Sequence, residues 1–128
     1  MFSALLVEDN TNFRQMLSDM LLMRFSAIDI AVAGDGEDAL CKIGYLHPDI
    51  VLMDIRLPGD NGLEVTRKIK QVYADVVIVI LTGHDLPEYR QQAFRNGADC
   101  FIPKSSDTCM EDVLARIEGA MISKRQTS

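Results

Sequence analysis

The stretch Asp49-Ile50-Val51-Leu52-Met53-Asp54-Ile55-Arg56-Leu57-Pro58 decides how the rest of the chain is arranged. Ile50 to Met53 form an unbroken apolar run, which suits a central strand of a parallel sheet covered on both faces. Asp54 stands where that strand leaves the core, and Pro58 and Gly62 then turn the chain toward a helix. Taken alone, an aspartate before a Pro-Gly turn is an ordinary turn residue. In an open α/β sheet, however, ligands bind at the carboxyl ends of the strands, so an acid at that address is a candidate for chemistry.

Toward the amino terminus, Ala4 to Val7 is a second wholly apolar strand, ending on Glu8-Asp9-Asn10. A helix follows, with Phe13, Met16, Leu17, Met20 and Leu21 expected on its inner face. Ile28, Ile30 and Val32 alternate with less apolar residues, which predicts an edge strand. Asp35-Gly36 turns into a helix through Ala39, Leu40 and Ile43, and Pro48 stops it.

Beyond Asp54, a third helix should bury Val65, Ile69 and Val72. Val76 to Leu81 is β-branched almost throughout, predicts a central strand, and leads into Thr82-Gly83. A fourth helix runs from Pro87 to Asn96-Gly97, its thin apolar face made by Ala93 and Phe94. The last strand, Asp99 to Ile102, meets Pro103-Lys104, and proline favours an edge position. Thr108 and Glu111 resemble a capping box opening a fifth helix that buries Val113, Leu114, Ile117 and Met121. Residues 1–122 read as one domain, and the polar residues 123–128 as a fraying tail or the start of a linker.

Five strands alternating with five helices predict a doubly wound α/β fold with a parallel sheet. With the second and fifth strands outside and right-handed crossovers, the natural order is the flavodoxin-like 2-1-3-4-5. That order brings the strand ends bearing Glu8-Asp9, Asp54, Thr82 and Lys104 side by side.

Composition narrows the function classes. The chain has 128 residues, 48% apolar and 25% charged, as a globular domain has. A net charge of −6 argues against nucleic-acid binding by this domain. The longest apolar run, Val76 to Leu81, is too short to span a bilayer, and no basic region precedes the first apolar stretch as in a secretory signal. Cys41, Cys100 and Cys109 lack metal-ligand spacing and read as reduced thiols of a cytoplasmic protein.

Adjacent strands lie about 4.8 Å apart, so Asp9 and Asp54 should come close enough to share a cation. Crowded carboxylates repel and require positive charge, and oxygen-only donors favour a hard ion such as Mg²⁺. Lys104 starts roughly 10 Å from Asp54 at the backbone, within reach of a long side chain leaning back. The set suits phosphoryl transfer to a carboxylate, with Asp54 as nucleophile and Thr82 and Lys104 holding phosphoryl oxygens.

Glu8-Asp9, the run Asp54-Ile-Arg-Leu-Pro58-Gly-Asp-Asn-Gly62, Leu81-Thr82-Gly83, Asn96-Gly97-Ala98-Asp99 and Phe101-Ile-Pro-Lys104 together resemble the receiver domain of two-component response regulators. The resemblance extends over about residues 3–122. It implies that Asp54 accepts a phosphoryl group from a histidine kinase or histidine phosphotransfer protein. It also implies Mg²⁺ held by Asp9, Asp54 and the Arg56 carbonyl, with Glu8 assisting. Thr82 and the aromatic Phe101 would then act as switch residues, altering a face made by the fourth helix, fifth strand and fifth helix toward an output domain or a second copy. Two positions depart from many relatives, Ser105 standing where they have a proline after the lysine and Phe101 where they have a tyrosine, and Arg56 and His84 occupy positions that tune phosphoryl lifetime in such domains.

Three other classes share parts of this pattern. A haloacid dehalogenase-type phosphatase carries a second aspartate two residues after the nucleophile, where this chain has Arg56. A flavin-binding protein of this fold would set Glu8-Asp9-Asn10 against a phosphate. A receiver-like interaction module independent of phosphate would not need the acid, threonine and lysine set.

Overall fold

The computed structural model describes residues 2–104 and 109–127, with the backbone alone described at 124–127. In chain order the elements are β1 (Ser3–Val7), α1 (Thr11–Arg24), β2 (Asp29–Ala33), α2 (Gly36–Leu46), β3 (Ile50–Met53), β4 (Arg56–Leu57), β5 (Asp60–Asn61), α3 (Gly62–Val72), β6 (Val77–Thr82), α4 (Pro87–Arg95), β7 (Cys100–Pro103) and α5 (Met110–Thr127). Five strands form one parallel sheet in the order β2-β1-β3-β6-β7. This is the expected 2-1-3-4-5 arrangement, with the alternating β2 and the proline-bearing β7 at the edges. The short β4 and β5 pair as an antiparallel hairpin within the loop between Asp54 and α3, which the sequence pattern did not disclose.

Alternation along the strands splits the interior into two cores. Leu5, Val7, Val51, Met53, Ile78, Ile80 and Phe101 pack on one face, beneath α2, α3 and α4. Leu6, Leu52, Val79, Leu81 and Ile102 pack on the other, beneath α1 and α5. The three central strands, β1, β3 and β6, are buried from both sides, which is why they read as continuous apolar runs.

Three side chains depart from the expected inner faces. Met16, Val72 and Phe94 are all exposed, Val72 by 71%. Leu17 and Leu21 of α1, Val65 and Ile69 of α3 and Ala93 of α4 are buried as expected, and α3 adds Leu63 and Thr66. Val72 is the last residue of its helix and lines an open cleft with His47 and Tyr73, beyond the reach of the sheet. The backbone of α5 runs on to Thr127, so residues 123–127 continue a helix where the sequence suggested a fraying end. Thr108 of the expected capping box and Ser105, which follows Lys104, lie outside the described residues.

Backbone geometry at the end of β3 depends on one glycine. The Gly62 N–H donates to the Ile55 carbonyl at 2.6 Å, folding the hairpin loop back onto the strand end. A Cβ at this position would lie 1.9 Å from the Asp54 carbonyl oxygen, a backbone atom that cannot swing away. Gly62→Ala should therefore destabilise the domain by about 3 kcal/mol, the upper range for overpacking. Urea unfolding of parent and variant checks this, and an unchanged midpoint would mean that the loop opens without cost.

Candidate functional site

The ladder hydrogen bonds continue past the strands and fix where the acids emerge. Glu8 N donates to the Ala33 carbonyl at 3.1 Å, and Asp54 N to the Val7 carbonyl at 3.0 Å. Asn10 then caps α1, its side chain accepting from Phe13 N at 3.0 Å, so the chain turns into a helix directly after the two acids. The Asp54 carboxylate is held from below by Ile55 N–H, which donates to Oδ1 at 2.7 Å.

These constraints bring one carboxylate oxygen from each of Glu8, Asp9 and Asp54 within 4.8 Å of one another. Among the described residues this is the one such acidic group. Asp9 faces solvent, whereas the side chains of Glu8 and Asp54 are only 6% and 13% exposed. Lys104 leans back over β6 as expected. Its ammonium is ion-paired with Glu8 Oε1, lies 3.6 Å from Asp54 Oδ2, and sits 4.0 Å from the centroid of the Phe13 ring. Main-chain pairing fixes the root of this lysine, since Lys104 N donates to the Thr82 carbonyl at 2.6 Å.

Thr82 is fully buried at the end of β6. The register pairs Met53 with Ile80, so Thr82 lies one residue beyond the level of Asp54 on the adjacent strand. Its Oγ1 accepts from His84 N at 3.2 Å, which leaves the hydroxyl proton available for donation. Arg56 is exposed in β4, two residues past Asp54. Phe101 is also fully buried, paired in register with Ile80 and hence on the same sheet face as Thr82. Arg90 of α4 places its guanidinium carbon 4.9 Å from the Phe101 ring centroid, and Arg116 of α5 donates to the Phe101 carbonyl at 3.1 Å.

Sequence reasoning missed the two cation–ring contacts, Lys104 with Phe13 and Arg90 with Phe101. Helical spacing marks Phe13 only as a helix-face residue, and Arg90 carries no local signal. It also missed Arg14, whose guanidinium donates to the Glu8 carbonyl at 2.9 Å.

Burial raises the Glu8 carboxyl above the ordinary glutamate range, the nearby Lys104 opposes that rise, and the Asp54 charge adds to it. Such a donor set, three carboxylates offering only hard oxygen, fits Mg²⁺.

At the sequence level, residues 4–118 match the response regulator receiver domain. The chain belongs to that family. It is 33% identical over 124 residues to the transcriptional regulatory protein LnrK of Bacillus subtilis, covering 95% of this chain and 56% of that protein. The transcriptional regulatory protein DegU of Brevibacillus brevis is 33% identical over 102 residues, 80% of this chain and 43% of its own length. The receiver domain described here thus spans about half the length of these two relatives. A CheY-like receiver domain protein from Methanospirillum hungatei superposes with a TM-score of 0.91 over 100% of this chain and 99% of that one, at 22% identity, a likeness of fold. The BeF3-activated N-terminal receiver domain of Klebsiella pneumoniae RstA superposes with a TM-score of 0.85 at 28% identity, covering 93% of this chain and 97% of that one. Among the described residues no helix is long and apolar enough to cross a membrane.

The raised Glu8 carboxyl has a consequence for metal-free stability. A folded state that holds this proton more tightly than the unfolded chain has an advantage at low pH, and that advantage is lost as pH rises through the folded value. In the presence of a chelator, the stability of Glu8→Gln relative to the parent should shift in the variant's favour between pH 4 and pH 7. Paired urea unfolding curves at the two pH values measure this, and a shift of opposite sign would mean that the Lys104 ion pair outweighs burial.

Proposed function

We propose that this receiver domain accepts a phosphoryl group on Asp54 from a histidine kinase or histidine phosphotransfer protein, in a Mg²⁺-dependent reaction that switches a partner-binding face. The observation that carries the proposal is the convergence of Glu8, Asp9 and Asp54 within 4.8 Å beside the Lys104 ammonium. Asp9, Asp54 and the Arg56 carbonyl would hold the metal, with Glu8 assisting. When bound, Mg²⁺ supplies positive charge that offsets the crowded acids and a phosphoryl oxygen.

The chain's own residues account for the remaining chemistry. Asp54, its Oδ1 fixed by Ile55 N–H, attacks phosphorus with a carboxylate oxygen. A P–O bond forms as the donor's P–N bond breaks, and the imidazole departs with the electron pair. Lys104, already 3.6 Å from Asp54 Oδ2, neutralises a second phosphoryl oxygen. The Thr82 hydroxyl donates to a third, which draws the β6–α4 loop toward the new group. The added charge and this loop shift would be transmitted through Phe101 to the face made by α4, β7 and α5. An output domain or a second copy of the chain would read that face, and the relatives described as transcriptional regulators favour an output domain. The domain turns over no external substrate beyond its own phosphorylation and slow hydrolysis. Its three free thiols suit the cytoplasm.

Incubation with a small-molecule phosphodonor should add one phosphoryl group to the intact mass in the presence of Mg²⁺ and none in its absence. Asp54→Asn should abolish the gain while leaving the far-UV spectrum unchanged. Equal labelling of Asp54→Asn and the parent would place the acceptor elsewhere. Asp9→Ala should weaken Mg²⁺ binding at least about tenfold in a calorimetric titration, as expected when a ligand or its support is removed. An unchanged affinity would remove Asp9 from the metal site.

A further inference from the structure

We infer that Phe13 is a positioning residue whose ring keeps the Lys104 ammonium aimed at Asp54 when Glu8 is drawn to the metal, an inference that rests on the phosphoacceptor reading above. Among the described residues, the Lys104 ammonium lies against the Glu8 carboxylate, the Asp54 carboxylate and the Phe13 ring face. Two of these are anions whose allegiance changes when a divalent cation arrives. Glu8 and Asp54 belong to the same acidic cluster, so a cation there competes directly with the ammonium for their oxygens. The ring has no such competing role.

A cation over an aromatic face is held by the ring quadrupole, and the attraction strengthens when water is partly excluded. The Lys104 side chain is 20% exposed, and the Phe13 ring centroid lies 4.0 Å from its Nζ. Phe13 sits in the first turn of α1, and its backbone N–H is bound by the Asn10 cap. The ring is therefore anchored to the same turn that delivers Glu8 and Asp9. It also packs at the margin of the core beneath α1 and α5, which limits its motion. An aliphatic side chain of similar size would fill that margin without attracting the ammonium. This separates positioning from packing.

The test compares the parent with Phe13→Leu and Phe13→Tyr. Each is assayed for thermal stability, Mg²⁺ affinity and the rate of labelling by a small-molecule phosphodonor. Phe13→Leu should slow labelling about fivefold, the effect of losing a partly desolvated cation–π contact. Its melting temperature and Mg²⁺ affinity should stay close to the parent's, and Phe13→Tyr should label at the parent's rate. Equal rates for parent and Phe13→Leu, or no recovery in Phe13→Tyr, would overturn the inference. A second readout needs no phosphorylation: the Lys104 ε-methylene protons should show an upfield ring-current shift in the Mg²⁺-loaded parent that Phe13→Leu abolishes. If the parent itself takes no label, the phosphoacceptor reading fails, and the ring-current shift still decides the Phe13–Lys104 contact. Its absence from the loaded parent would overturn that contact.

Discussion

Like charges gathered at one end of a sheet are the constraint to which the rest of this structure responds. Glu8, Asp9 and Asp54 come from adjacent strands, and nothing in their mutual interaction favours the meeting. The packed strands beneath impose it. Leu5, Leu6, Val7, Val51 and Met53 are almost wholly buried, and sliding β1 against β3 to separate the acids would turn these residues out of their cores. The hydrophobic interior thus holds an electrostatically unfavourable arrangement in place. The nearby cation reduces its cost, because Lys104 enters from β7, two strands away, across the end of β6.

Loops and edges serve the same arrangement. Gly62 lets the chain fold back within contact of the Asp54 carbonyl, keeping the hairpin loop tight against the strand that ends on Asp54. At the two sheet edges, long cationic side chains cover outward carbonyls. Lys42 donates to Val32 on β2, and Arg116 donates to Phe101 on β7. Edge strands with free polar groups invite pairing with other chains, and a charged side chain laid along the edge discourages it. In Arg116 this protection coincides with a tie between α5 and the strand carrying Phe101.

The sheet and the acidic cluster were legible in the sequence because both follow from strand-level patterns. A strand covered on both faces reads as a continuous apolar run, an edge strand alternates or contains proline, and residues just past the strand ends share one rim. Helix faces were less legible. Periodicity places Met16, Val72 and Phe94 on plausible inner faces, but it does not record where the covering sheet stops, and all three emerge into solvent. The β4–β5 hairpin escaped notice because two-residue strands have no period to detect. The contacts of Phe13 with Lys104 and of Arg90 with Phe101 join residues far apart in sequence, and only the packing of α1 and α4 against the sheet brings them together.

Phe101 shows how packing limits the kind of switch such a domain can contain. Its ring is fully buried among Ile80, Ala93, Ala98 and other residues beneath α4, with the Arg90 guanidinium above it. Swinging the ring outward from a fixed α4 would leave a void of its own size, and emptying a phenyl-sized site costs about 3–5 kcal/mol in comparable truncations. Moving α4 together with the ring avoids most of that void. The burial of α4 itself rests largely on Ala93, so it is the helix with the least packing to lose. A displacement beginning at Thr82, one loop before α4, would reach that helix first. Ring and helix would then move as one unit, with Arg90 carried along on the helix that caps the ring.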